Sequence, residues 1–190
     1  MDSGRRHQNI VVQVVKNFEN INVSLPELKK LVRTVCNRFP AFSGSKVTVS
    51  IAIVDDAQIR KINKKFLNRN RTSDCLSFDL SDSQRPRSPK IFELVVSGER
   101  AVKEANLRGH SSKAELALYV THGLLHNVGF DDSTKEKAKK MHDVEDQILQ
   151  QLGYGAVYNK GVKPTVNRKS KIENRDDYAN QGRGSLHTGS

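Results

Sequence analysis

Residues 112–128 constrain the fold more than any other stretch of the chain. On a 3.6-residue period, Ala114, Leu116, Ala117, Val120, Leu124, Leu125 and Val128 fall on every side of a helix. A helix without a polar side has to be surrounded, so this one is expected at the centre of a domain. It nevertheless carries His122 and His126. Four residues apart, their imidazoles leave the helix on one face, close enough to share one metal ion. Gly129 stands where the helix should stop, and Asp132, six residues past His126, can return a carboxylate to the same point. Two imidazoles, one carboxylate and an open fourth position describe a catalytic zinc site, one ion, rather than a structural one. The plainer reading, two histidines packed in a core helix, explains neither the glycine nor the third ligand at this spacing. Gly123 is the odd residue: in mid-helix it costs about 0.8–1 kcal/mol relative to Ala. Close approach of a neighbouring backbone, or of substrate, would account for it.

The elements before the central helix alternate between strand and helix. Residues 9–15 (NIVVQVV) and 47–54 (VTVSIAIV) read as strands, the second with Val47, Val49, Ile51 and Ile53 on one face and a partly apolar other face. Between them, Ser24 and Glu27 form a capping box with Pro26 in the first turn. The helix they open should run to about Phe39 and bury Leu28, Leu31, Val32, Val35 and Cys36. Asp55 and Asp56 cap a second helix to about Asn68, with Ile59, Ile62 and Phe66 as its apolar stripe. Strands are expected at 73–80 and 91–97, separated by a Ser- and Pro-rich loop, and a helix at 99–107 ends at Gly109. Ser112 with Glu115, and Ser133 with Glu136, read as capping boxes for the central helix and for a last helix to about Leu152. The last helix turns Met141, Val144, Ile148 and Leu149 inward and leaves His142 on the surface. The expected fold is α+β: a single domain over residues 1–156, with a mixed sheet of about four strands and the metal-binding helix central.

From residue 157 the pattern stops. Residues 157–190 hold seven Lys or Arg and three acids, a net +4, with few apolar residues, and read as a disordered basic tail. The whole chain carries +11, which calls for a polyanionic partner, nucleic acid before an anionic membrane surface. Arg60, Lys61, Lys64 and Lys65 give the second helix like-charge pairs at i, i+4 that an anionic partner would relieve, or that a solvated face would carry. Cys36 and Cys75 form no metal or redox motif and read as ordinary thiols in a reducing compartment. No apolar run is long enough to cross a membrane and the start is polar without a signal peptide, so a cytoplasmic protein is expected.

The stretch HGLLHNVGFDD resembles the H-G-x-L-H-x-x-G-[YF]-D-H signature of the YbeY family of metal-dependent endoribonucleases. His122, Gly123, Leu125, His126, Gly129, Phe130 and Asp131 match, and Asp132 stands where that family usually has a third His. SDCLSF at 73–78 is similar to its T-D-V-L-S-F segment, and residues 68–71 to its L-N-x-x-Y-R stretch. The resemblance implies an arginine, Arg71 or alternatively Arg69, that positions RNA or acts in catalysis. It also implies ribosomal RNA maturation at the small subunit and ribosome quality control; single-stranded RNA is the expected substrate because a narrow site needs a backbone that can bend into it. Two other readings stand beside it. His122, His126, Gly129 and Asp132 also fit zinc-peptidase spacing, but Gly123 occupies the place of the peptidases' general-base Glu. A non-catalytic ribosome-biogenesis factor that binds RNA and uses the metal for stability is the third.

Overall fold

The computed structural model describes residues 9–42, 46–82, 84–85 and 88–158, with the backbone of 187–188. In chain order these give β1 (Ile10–Lys16), α1 (Leu25–Arg38), a 3-10 turn (Pro40–Phe42), β2 (Val47–Val54), α2 (Asp56–Leu67), β3 (Cys75–Asp79), β4 (Lys90–Ser97), α3 (Gly98–Arg108), α4 (Ser112–Asn127), α5 (Lys135–Gln151) and the two-residue β5 (His187–Thr188). The strands form one sheet in the order β1-β2-β4-β3-β5. β1, β2 and β4 run parallel, with Val12 beside Val49 and Ile51 beside Leu94; β3 lies antiparallel to β4, with Cys75 beside Val96. The domain is α+β with a mixed sheet, as the sequence pattern implies. The tail expected from residue 157 falls mainly outside the described residues. Val157 and Tyr158, on its near side, pack on the domain, and His187–Thr188 pair with β3.

Strand periodicity sorts the sheet into two faces. Val49, Ile51, Ile53, Cys75, Leu94 and Val96 point into the main core, shared with α1, α4 and α5. Ala52, Val54, Leu76, Phe78 and Val95 point the other way and meet Ile59, Ile62 and Leu67 of α2. The partly apolar second face of β2 is therefore the seat of α2. Phe66 departs from the expected stripe: it stays 55% exposed, edge-on to Phe78 at 5.8 Å. The stripe that buries α2 runs through Ile59 and Leu67 instead.

Caps set the helix starts, and two differ from the sequence pattern by one residue. Ser24 and Asp55 accept from the backbone N–H groups of Glu27 and Gln58 as expected. For α4 the cap is Ser111, which accepts from Ala114, and for α5 it is Thr134, which accepts from Lys137. Ser133 is occupied instead by Asp131, which accepts from its N–H and its hydroxyl. Glu115, released from capping, is fully buried.

α4 is enclosed on every side, touching α1, α3, α5, β3 and β4. Gly123 explains how it comes so near the sheet. A Cβ at this position would lie 2.6 Å from Cys75 Sγ and 2.8 Å from Leu94 Cδ2. The glycine therefore admits neighbouring strand side chains rather than a backbone or a substrate. Cys36 and Cys75 are buried, and burial pushes the Cys36 thiol up to about 12, so both are core groups rather than reactive ones.

Gly123→Ala gains about 1 kcal/mol of helix propensity but overpacks this contact at a cost of about 1–3 kcal/mol, so a net loss of up to about 2 kcal/mol is expected. Thermal or denaturant unfolding would show it. Adding Cys75→Ala should recover part of the loss, because it removes the nearer of the two clashing atoms.

Candidate metal centre

His122 and His126 stand one turn apart on α4, with Nε2 atoms 3.0 Å apart and rings nearly perpendicular. After Asn127 the chain reverses: Gly129 takes φ +93°, and Phe130 N–H donates back to the Leu125 carbonyl. That turn carries Asp132 to the histidines, its Oδ2 lying 3.8 Å from His122 Nε2 and 4.0 Å from His126 Nε2. The structure thus brings together the three predicted ligands, and they are the described group of His, Cys, Asp and Glu side chains able to converge on one ion. Asp131 points elsewhere and accepts from Ser133 and Lys137. Those bonds, the one from Lys137 foremost, hold its carboxyl well below the usual range.

The remaining ring nitrogens decide what the Nε2 atoms can do. His126 Nδ1 lies 3.0 Å from the Phe130 carbonyl oxygen, which can only accept. His122 Nδ1 lies 2.8 Å from Oε1 of Glu145. Both Nδ1 atoms therefore donate, and in the neutral rings both Nε2 lone pairs face one point. Two lone pairs and a carboxylate oxygen converging in a half-buried space repel one another unless a cation joins them. The donor set and its outer hydrogen bonds fit zinc.

Glu145 is a site residue that the sequence pattern leaves unassigned. It sits on the buried face of α5 between Met141 and Ile148, fully buried, and its Oε2 accepts from His142 Nδ1 at 2.8 Å. One carboxylate thus orients two imidazoles. His142, expected on the surface, is instead only 14% exposed and stacks on Tyr158. The signal was a charged residue inside an apolar stripe, three residues from a histidine. Burial opposes the His122 imidazolium, but the bond to Glu145 and the charges of Glu145, Asp74 and Asp132 outweigh it and raise the pKa. Burial likewise opposes the Glu145 carboxylate, but the bonds from His122 and His142 win and lower its pKa.

His122 and Asp132 open on a cleft of about 290 Å3 between α3, α4 and α5. Its lining also includes Arg100 and Arg108 of α3 with Glu115 and Tyr119 of α4. Glu115, fully buried, pairs with His110 and lies 3.7 Å from Arg108. Arg71 does not line this cleft; it is exposed in the loop after α2, its carbonyl accepting from Asn63 Nδ2. The basic row of α2 (Arg60, Lys61, Lys64, Lys65) is exposed on the sheet face opposite α4, so it does not flank the metal centre.

Fold and site together define an α+β protein with three converging side chains that could hold a metal ion beside a polar cleft. A family model described as Endoribonuclease YbeY matches residues 13–153. An Endoribonuclease YbeY of Symbiobacterium thermophilum is 32% identical over 149 residues, covering 73% of this chain and 96% of the relative. One from a Thermoanaerobacter species is 30% identical over 146 residues, covering 70% and 91%. The solution structure of a Thermotoga maritima protein shares the fold, with TM-score 0.51 at 19% identity, over 80% of this chain and all of that one. The chain belongs to the YbeY family.

Two outcomes follow from Glu145. Glu145→Gln should weaken metal binding by roughly ten- to hundred-fold, read by competition with a chelating dye, because His122 loses its anionic acceptor. In metal-free protein the His122 contribution to stability is complete below its unfolded pKa of about 6.5 and is lost as pH rises through the elevated folded value. The Glu145 contribution has the opposite sign: it is present above the unfolded carboxylate value and lost as pH falls through the depressed one. Chelated protein should therefore melt at lower temperature as pH rises above about 6.5, and Glu145→Gln should remove most of that slope.

Proposed function

We propose that this protein is a zinc-dependent endoribonuclease that cuts single-stranded RNA, acting in the cytoplasm in maturation of the small-subunit ribosomal RNA 3′ end and in ribosome quality control. The observation that carries the reading is the convergence of His122 Nε2, His126 Nε2 and Asp132 Oδ2 in an open cleft. The names of the YbeY relatives support RNA as the substrate. Among the described residues no helix is long and apolar enough to cross a membrane.

When bound by His122, His126 and Asp132, zinc supplies Lewis acidity, acidifying water at its open position and polarising a phosphoryl oxygen. The chain's own groups do the rest. Glu145 and the Phe130 carbonyl hold the two imidazoles in register. Arg100, which has no ion pair among the described residues and lines the same cleft, is placed to bind a phosphate of the strand. Arg108 is tied to Glu104 and Glu115 and stiffens that lining. Arg71 keeps a part only as a contact to RNA reaching beyond the cleft. The peptidase reading loses support from packing as well as from sequence, because position 123 faces Cys75 and Leu94 of the sheet and has no room for a general base.

Purified full-length chain, prepared without chelators, should carry one zinc and cleave single-stranded RNA, with duplex RNA resistant and chelator abolishing cleavage. Absence of stoichiometric metal, or cleavage indifferent to chelator, would overturn the reading. RNA binding with metal but no cleavage would favour the non-catalytic factor. Arg100→Ala should lower the slope of log Kd against log salt by about one, the loss of a single phosphate contact. The same loss in Arg71→Ala instead would move that contact to the loop after α2.

A further inference from the structure

We propose that the ring of Tyr158 is a stacking platform for a nucleobase of the strand held in the metal cleft; this rests on the RNA reading above. Tyr158 lies past the last helix, yet its backbone is fixed. The N–H groups of Val157 and Tyr158 both donate to Asp146 Oδ1, at 2.9 and 3.0 Å, and Asp146 and Val157 are buried. One face of the ring is backed by His142, with ring centroids 3.4 Å apart and planes within 12°. His142 is itself held by Glu145, the carboxylate that orients the metal ligand His122. The rest of the ring is open: Tyr158 is 46% exposed and lines the same cleft as His122 and Asp132.

A half-exposed aromatic ring, pinned by its backbone and backed by a second ring, loses little conformational freedom when a flat ligand covers it. Unpaired bases offer such a surface, and single-stranded nucleic acids are bound in this way by aromatic side chains. Inside a duplex the faces of a base are already stacked on its neighbours. The platform therefore selects single strands without reading sequence, and it seats a base beside the metal centre while Arg100 takes a phosphate in the same cleft. Tyr158 is in this sense a positioning residue: it touches the strand but not the bond that breaks.

The chain contains no tryptophan, so Tyr158→Trp introduces a single fluorescent reporter at the platform. Mixed in a stopped-flow cell, so that binding is read before cleavage, a single-stranded oligoribonucleotide should quench the indole fluorescence of this variant. An abasic strand of equal length and charge should not. Tyr158→Leu should raise Kd and KM roughly five- to hundred-fold, with kcat and metal content little changed, and Tyr158→Phe should restore both. Equal quenching by the abasic strand, or an unchanged Kd in Tyr158→Leu, would overturn the platform. If the wild-type chain binds no single-stranded RNA, the nuclease reading falls and the platform with it. If it cleaves RNA while the indole signal of Tyr158→Trp stays silent, only the platform is wrong.

Discussion

The close seating of α4 on β3 and β4 is the contact on which the rest depends. It requires a position without a side chain, Gly123, directly after the first ligand histidine. With the helix held there, the side of α4 that carries His122 and His126 lies about a quarter turn from the sheet-facing glycine, towards the cleft. The glycine costs helix propensity and gives up side-chain contacts, yet it brings the strand side chains into direct contact with the helix backbone.

Charge inside the domain follows one rule, that a buried ionisable group has a specific partner. Glu145 lies between His122 and His142, Asp146 accepts two backbone N–H groups, and Glu115 meets His110. Such pairs are poor sources of stability, because desolvation consumes much of their attraction, whereas removing one member leaves the other stranded. Their value here is geometric. They set which nitrogen of each ring carries its proton and keep α5 and the segment after it in register with α4.

The fold and the convergence of the three donor side chains were largely legible in the sequence because each rests on a local pattern. Alternation in 47–54, the caps at Ser24 and Asp55, and the His-x-x-x-His spacing with Gly129 all act over fewer than a dozen residues. Asp132 in preference to Asp131 was proposed from spacing, and in the structure Asp132 lies near both imidazoles while Asp131 is taken up by a hydroxyl and an ammonium. What escaped depends on contacts between elements. His142 falls outside the apolar stripe of α5, and only the docking of Tyr158 and the reach of Glu145 bury it. Arg100 could not be distinguished from thirty-one other basic residues until α3 was placed on the same cleft as His122 and Asp132. The capping boxes failed by one residue for a related reason: Ser133 had a competing partner in Asp131, which a pattern of four letters does not register.

Glu145 also has a consequence for when the protein matures. All three donors lie between residues 122 and 132, on one helix and the turn that follows, but the acceptor that fixes His122 comes from α5, near the end of the folded domain. During synthesis a chain halted before residue 145 already contains every ligand and still lacks the group that aims the first of them. A chain cut short before α5 is therefore expected to hold its three donors without the acceptor that orients His122.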